Sequence, residues 1–592
     1  MSKRFEVRSP IKALVASVRP KVGDAVAAGD TIAILEAMKM EHVVATEQSG
    51  VVQELRVAVD SVVEAGDVLA VLDAAEVRTL DSTTPSPSFE TVRADLVELY
   101  EREAFGLDAQ RPAAVEKRRR TGQRTARENL ADLVDEGSFV EYGALVIAAQ
   151  RQRRAHDELV ARTPADGMVA GIGRINGALF GTTSTRAVVT SYDYTVLAGT
   201  QGTMNHLKKD RLFDIAERHK LPVVLFAEGG GGRPGDTDHA IVAGLDCRAF
   251  QYFAELSGKV PLLGVVSGFC FAGNAALLGS CDVVIATRRS NIGMGGPAMI
   301  EGGGLGRFAP EEIGPSEIQY RNGVIDVLVE DDAEAVATAK RYLGYFQGAL
   351  PSWEAADQES LRDAIPENRL RVYEMRSVIE RVADLGSVLE LRRGFAPGMI
   401  TSLARIEGLP IGIIANDPAH LGGAIDAEAA DKASDFMTLC NRFAIPILFL
   451  CDTPGFMVGP DAEATGLVKR AARLFKVGAS LKVPFCTVVL RKGYGLGAQS
   501  MAGGSFKAPV FTIAWPTGEF GGMGLEGAVK LGFRKELAAI ADPKARDAMF
   551  RQMVELAYER GKAINMAEHF EIDAVIDPVD TRRWILTAIG PG

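Results

Sequence analysis

The chain of 592 residues holds only six cysteines (Cys247, Cys270, Cys281, Cys440, Cys451, Cys486), and no two form a C-x-x-C pair. Scattered through apolar surroundings, they exclude a disulfide framework or a zinc ribbon and read as buried thiols of a reducing cytoplasm. The seven histidines show no metal-ligand spacing such as H-E-x-x-H, so no metal is expected. No apolar run approaches the roughly 18 residues of a membrane span. The start, Met1-Ser2-Lys3-Arg4-Phe5-Glu6, lacks an apolar h-region, so no signal peptide is expected. Positive charge is in deficit as well, and a net charge of -11 argues against nucleic acid as a partner. The one basic run, Lys117-Arg118-Arg119-Arg120 with Arg124 and Arg127, is expected to be a solvated helix face or a subunit contact. A phosphate loop of the form G-x-x-x-x-G-K-S/T is absent, and Gly302-Gly303-Gly304-Leu305-Gly306 lacks the G-x-G-x-x-G spacing.

What is present is ordinary globular material, 47% hydrophobic and 24% charged, long enough for about three domains. Near the start lies an internal repeat. Val22-Gly23-Asp24 through Leu35-Glu36 recurs as Val59-Asp60-Ser61 through Leu72-Asp73. Each copy has an Ala-Gly-Asp turn followed by alternating apolar residues, the pattern of a half-buried strand. A small two-fold β-sandwich follows. Glu36-Ala37-Met38-Lys39-Met40 falls just after the first copy's last strand, which places Lys39 at a hairpin tip. Beyond Asp73 the alternation stops, and Ser82-Thr83-Thr84-Pro85-Ser86-Pro87-Ser88 reads as a flexible tether before a charged helical segment near 91–105.

A second duplication fills the rest. Leu221-Pro222-Val223-Val224-Leu225-Phe226-Ala227-Glu228 parallels Ile445-Pro446-Ile447-Leu448-Phe449-Leu450-Cys451-Asp452. At the same displacement Asp193 meets Asp417, Gly199 meets Gly423 and Lys208 meets Lys432. One residue further displaced, Gly268-Phe269-Cys270-Phe271-Ala272-Gly273 parallels Gly493-Tyr494-Gly495-Leu496-Gly497-Ala498. Two homologous α/β domains are implied, with helices over 203–219 and 427–443. Each small-residue turn follows a Val-rich strand (262–266 and 483–490) and lets backbone N–H groups approach a ligand, so it can receive an oxyanion.

The first segment resembles the biotinyl domain of biotin-dependent carboxylases, whose modified lysine lies between two methionines; Met38, Lys39 and Met40 stand in those places. The paired turns resemble the crotonase superfamily, with the hydratase glutamate replaced by Ala276 in the first copy and Met501 in the second. Narrower still is the similarity to acyl-CoA carboxylase carboxyltransferase subunits, which covers nearly everything from Thr125 onward. It is carried by Thr125-Ala126-Arg127-Glu128-Asn129-Leu130, Gly295-Gly296-Pro297, Asp452-Thr453-Pro454-Gly455-Phe456, Trp515-Pro516-Thr517 and Ile576-Asp577-Pro578. Two motifs depart: Ser-Gly-Gly-Ala-Arg is Gly229-Gly230-Gly231-Gly232-Arg233 here, and Gly-Gly-Ala-Tyr-Asp becomes Gly497-Ala498-Gln499-Ser500 after a one-residue insertion.

The resemblance implies an all-β biotinyl sandwich (1–75), a linker with a helical segment (76–115), and two crotonase-like ββα-spiral domains (116–350 and 351–592). The fold class is thus α/β within an α+β multidomain chain. It also implies carboxyl transfer from carboxybiotin to the α (or vinylogous) carbon of an acyl-CoA, with biotin on Lys39. Ala272 and Gly273 would hold the thioester enolate, Gly497 and Ala498 the biotin ureido oxygen, and Gly230, Gly231 and Arg233 the substrate. Biotin itself would act as the base, which accounts for the empty glutamate positions. The carrier repeat begins close behind Met1, so a separate biotin carboxylase subunit using ATP and bicarbonate is expected, with a biotin protein ligase and assembly into a cytoplasmic homo-hexamer. The rival readings are the carboxyltransferase subunit of a biotin-dependent decarboxylase with a membrane partner, and a non-catalytic carrier.

Overall fold

The computed structural model describes residues 3–75, 93–233, 235–236, 238 and 245–590. It divides into two compact units, Met1–Val97 and Glu98–Gly592.

The first unit contains eight strands: β1 (Arg4–Arg8), β2 (Ala13–Val18), β3 (Ala25–Val26), β4 (Thr31–Ala37), β5 (Met40–Ala45), β6 (Gly50–Leu55), β7 (Val62–Val63) and β8 (Val68–Ala74). They form two four-stranded antiparallel sheets, in the orders β1-β8-β6-β3 and β5-β4-β2-β7. Val15, Ile32, Leu35, Val52, Leu69 and Leu72 are wholly buried between them, and each such side chain contributes about 2 kcal/mol. The repeated Ala-Gly-Asp turn has a physical cause: the aspartate accepts a hydrogen bond from the backbone three residues earlier. Asp30 Oδ2 takes it from the N–H of Ala27 at 2.8 Å, and Asp67 Oδ2 from that of Glu64 at 2.7 Å. The predicted tether at 82–88 lies outside the described residues. The charged helix beyond it spans Ala94–Ala104.

The second unit holds two large mixed sheets and a small one. The first half contributes β9 (Val140–Glu141), β10 (Met168–Arg174), β11 (Arg186–Tyr192), β12 (Val223–Phe226), β13 (Leu262–Val266), β14 (Phe269–Phe271), β15 (Val283–Thr287), β16 (Asn291–Gly293) and β17 (Val327–Val329). Seven of these lie in the order β17-β15-β13-β12-β11-β10-β9, and β14 pairs with β16. The second half repeats the plan with β18 (Leu389–Leu391), β19 (Met399–Ile406), β20 (Leu409–Asn416), β21 (Ile447–Thr453), β22 (Phe485–Tyr494), β23 (Thr512–Ala514), β24 (Glu519–Gly521) and β25 (Ala574–Val575). Its order is β18-β19-β20-β21-β22-β23-β25, with β24 on β22. The central strands run parallel and are apolar on both faces, as a sheet covered by helices requires. Helices Thr203–His219 and Ala427–Arg442 are the equivalent crossovers. Among the described residues no helix is long and apolar enough to cross a membrane.

Candidate active site

In the first unit the site is one side chain. Ala37 and Met40 close the β4–β5 hairpin, and Met38 (φ 51°) and Lys39 (φ 64°) are its two central residues. Two consecutive left-handed residues give the tight turn that follows strand twist, a conformation methionine and lysine rarely adopt. Met38 is 99% exposed, and Lys39 is exposed with no partner for its Nζ among the described residues. A primary amine held clear of the fold fits a covalently attached biotin.

In the second unit, each turn meets the loop that follows the neighbouring strand, Gly229–Gly232 in the first half and Gly455 in the second. After β12 the chain runs through Gly229–Gly232, with the N–H of Gly229 donating to the carbonyl of Phe269 (2.7 Å) and that of Phe271 to the carbonyl of Gly229 (2.9 Å). The loop therefore lies against Ala272 and Gly273. A β-carbon on Gly231, which has φ +90°, would stand 2.7 Å from that of Ala272. Gly273 opens the helix Gly273–Gly279, and its N–H has no partner among the described residues. The N–H of Ala272 is already given to the carbonyl of Gly293 (3.0 Å), so Ala272 shapes the turn and Gly273 is its open donor. The structure thus brings Gly230, Gly231, Ala272 and Gly273 together.

Arg233 is placed elsewhere. Its guanidinium meets Asp166 Oδ1 at 2.7 Å, Asp236 Oδ1 at 3.1 Å and Thr200 Oγ1 at 3.2 Å, in a buried network. It anchors the loop from behind, with four of its five N–H groups given to Asp166, Asp236, Thr200 Oγ1 and the Thr200 carbonyl.

The second turn matches the first in a register different from the one read in the sequence. Leu262 pairs with Val223 in the first half, and Phe485 with Ile447 in the second. Carried forward, this register sets Ala272 (φ 52°) on Gly495 (φ 56°), the two left-handed residues at the mouths. Gly273 then corresponds to Leu496, Ala275 to Ala498 and Ala276 to Gln499. Leu496 is 62% exposed in the first turn of the helix Gly495–Ser500, whereas Ala498 is fully buried behind it. Gly497 remains at the turn, because its β-carbon would stand 2.6 Å from the α-carbon of Gly455. Similar small residues two positions further along draw the sequence pairing of Gly273 onto Ala498 and of Ala276 onto Met501; strand register overrides it.

The other repeated residues are structural. A β-carbon on Gly199 would stand 2.4 Å from the carbonyl oxygen of Glu228, and one on Gly423 would stand 2.2 Å from that of Asp452. Lys208 Nζ donates to the carbonyls of Gly143 and Ala165 at 3.1 Å each, and Lys432 Nζ to those of Arg392 and Phe395 at 2.8 Å each. Burial lowers the ammonium pKa to about 8 for Lys208 and about 7 for Lys432. Asp193 and Asp417 each bind one arginine, Arg111 and Arg376, at 2.8 Å.

The basic run is not wholly solvated. Arg118, on the helix Pro112–Arg120, is buried and grips Glu228 at the end of β12. Burial raises the Glu228 carboxyl and Arg118 opposes it. Nothing in the sequence links these two residues, which stand 110 positions apart. Beside the pair opens a cavity of about 610 Å³, lined by Tyr194, Ala198, Gly268 and Phe269, with Lys117 and Arg289 also in its wall. In the second half Asp452 takes the place of Glu228, wholly buried against Tyr373 Oη (2.7 Å), Lys492 Nζ (2.9 Å) and Arg491 Nη2 (3.1 Å). Among the described residues no three His, Cys, Asp or Glu side chains gather to hold a metal ion.

A duplicated α/β unit with a backbone cradle in each half, and an exposed hairpin lysine on a separate sandwich, define a biotin-dependent carboxyltransferase. The chain belongs to the carboxyl transferase domain family, matched over residues 117–589, and carries a biotin-requiring enzyme domain over residues 6–72. It is 33% identical to the methylmalonyl-CoA carboxyltransferase 12S subunit of Propionibacterium freudenreichii subsp. shermanii, over 80% of this chain and 90% of that one. It is 31% identical to the propionyl-CoA carboxylase beta chain of Saccharopolyspora erythraea, over 85% and 94%. Among solved structures it resembles a single-chain, multi-domain long-chain acyl-CoA carboxylase, at 55% identity and a TM-score of 0.82. That match covers 99% of this chain, which spans 56% of the length of that protein. The hexameric transcarboxylase 12S core with methylmalonyl-CoA bound is similar at 31% identity and a TM-score of 0.72, over 84% of this chain and 95% of that one.

Proposed function

We propose that this chain carries biotin on Lys39 and transfers its carboxyl group to the α-carbon of a long-chain acyl-CoA. The carrying observation is the pair of matched cradles in one unit with an exposed lysine turn in the other. Biotin, when attached, supplies the carboxyl group and the base. The rest is done by the protein. The open N–H of Gly273, beside Gly230 and Gly231, receives the thioester oxygen as negative charge develops, and one such donor contributes about 3 kcal/mol to the transition state. Leu496 and Gly497 offer the equivalent donors to the ureido oxygen. The cavity beside Phe269 has an apolar wall for a pantetheine arm and cations for its phosphates. Arg233 acts by positioning the glycine loop through Asp166 and Asp236.

The long-chain reading is supported by the 55% identity to the long-chain enzyme, against 31% and 33% to the propionyl-CoA and methylmalonyl-CoA proteins. The carrier is taken as 1–75 and the two halves as 116–350 and 351–592. Loading of biotin with CO2 is assigned to a biotin carboxylase using ATP and bicarbonate, and attachment to a biotin protein ligase. The assembly is a hexamer, as in the 12S core, working in the cytoplasm, where its free cysteines stay reduced.

The test mixes the biotinylated protein with a biotin carboxylase subunit, ATP, bicarbonate and acetyl-, propionyl- or palmitoyl-CoA. Carboxylated palmitoyl-CoA should form fastest, and none should form without the carboxylase subunit. Preference for acetyl- or propionyl-CoA would overturn the substrate reading, and ATP-dependent carboxylation by this chain alone would overturn the assignment of partners.

A further inference from the structure

Behind the first cradle runs a buried polar chain that the steps above leave unused. Lys209 Nζ lies 2.8 Å from Tyr192 Oη, and Gln201 Nε2 donates to the same oxygen at 2.8 Å. All three residues are buried, Lys209 completely. Gln201 is clamped by its backbone as well: its N–H donates to the carbonyl of Gly231 (2.7 Å), and its carbonyl accepts from the N–H of Arg233 (2.8 Å). Its Oε1 stands 2.7 Å from the place a β-carbon on Gly273 would take. One side chain therefore spans the two strands of backbone that make the cradle.

We infer that Gln201 is a positioning residue for the first cradle, with Tyr192 and Lys209 deciding which end of its amide faces Gly273. The inference rests on the reading of Gly273 as the thioester-oxyanion donor. A hydroxyl has one proton to give. When Lys209 is an amine, Tyr192 donates to it and accepts from Gln201 Nε2, which leaves Oε1 toward the turn. When Lys209 is an ammonium, Tyr192 accepts from it and turns its proton toward Gln201. The amide then flips, and an NH2 group faces Gly273. Burial brings the Lys209 ammonium down to about 7, so both arrangements occur near neutrality. Asp166, Asp210 and Cys247 face Lys209 and oppose that shift. His206, Cys247's hydrogen-bond partner at 3.1 Å, is itself held neutral, with a pKa of about 3. Asp166 is shared with Arg233.

The test uses the full chain, free carboxybiotin and the acyl-CoA turned over fastest in the screen above, across pH 6 to 9. The wild-type kcat should follow an ionisation near pH 7 that Tyr192→Phe removes. Tyr192→Phe and Gln201→Leu should each lower kcat by about ten-fold with KM for acyl-CoA nearly constant, and the double variant should be no slower than Gln201→Leu alone. Decarboxylation of carboxybiotin without acyl-CoA, assigned to the other cradle, should be untouched by either. A merely structural network would slow both reactions together and leave the pH profile in place, which would overturn the proposal. So would single-variant effects that multiply in the double variant. If instead Gly273→Pro transfers carboxyl at the wild-type rate, the underlying reading of the turn fails, whatever the Gln201 variants do.

Discussion

Arg118 and Glu228 form a bidentate pair, Nη1 to Oε1 at 2.6 Å and Nη2 to Oε2 at 2.5 Å, with side chains only 7% and 10% exposed. The pair ties the helix Pro112–Arg120 to the strand end that aims the glycine loop. Removing the arginine alone would leave a buried carboxylate unpaired. Arg118→Met should therefore lower the unfolding free energy by about 3–5 kcal/mol in urea titrations, and adding Glu228→Gln should recover much of that loss. A stability for Arg118→Met within about 0.5 kcal/mol of wild type would remove the pair from the architecture of the site.

Lys39 is expected to be the sole biotinylated residue. Intact-mass analysis of Lys39→Arg protein made alongside a biotin ligase should show no adduct, and the wild type should show one. Because the turn residues Met38 and Lys39 are exposed, the substitution should leave the melting temperature unchanged. An adduct retained on the variant would move the attachment site.

The buried lysine of the second half gives a pH signature. With its folded pKa near 7, below the ordinary 10.5, Lys432 binds fewer protons in the folded chain than in the unfolded one. The stability it contributes is fully present above the unfolded value and is lost as pH falls from 10.5 toward 7. The wild type should therefore gain on Lys432→Met as pH rises from 7 to 9, by at most about 1.4 kcal/mol per pH unit. A constant difference across that range would mean that Lys432 keeps an ordinary pKa.

The helix Thr203–His219 was legible at both ends, and the strand Leu262–Val266 likewise, because apolar runs and turn residues act locally. Lys39 was legible because the hairpin that presents it is encoded by two copies of one pattern. Three features were not. The carboxylate partners of Arg233 are the distant Asp166 and the near Asp236, and only folding shows that both consume it. Arg118 looks like its exposed neighbours until Glu228 is brought beside it. The second turn was misregistered because small residues recur at Gly495, Gly497 and Ala498, and composition cannot say which of them stands at the helix mouth. The backbone conformation and the strand pairing can.

The division of labour between the two cradles is tested most directly by deleting one donor from each. Proline removes an N–H and is tolerated at the start of a helix. Gly273→Ala serves as the steric control in the first cradle, since its β-carbon meets Gln201 Oε1 as the proline ring would, yet the donor stays. Leu496→Ala is the control in the second. The measurement is paired: carboxyl transfer from free carboxybiotin to acyl-CoA, and decarboxylation of carboxybiotin alone. Gly273→Pro should lose about 10²–10³ in transfer relative to Gly273→Ala and keep decarboxylation, whereas Leu496→Pro should lose both relative to Leu496→Ala. Loss of decarboxylation in Gly273→Pro with its retention in Leu496→Pro would reverse the two assignments, and wild-type rates in both variants would show that the oxyanions are held elsewhere.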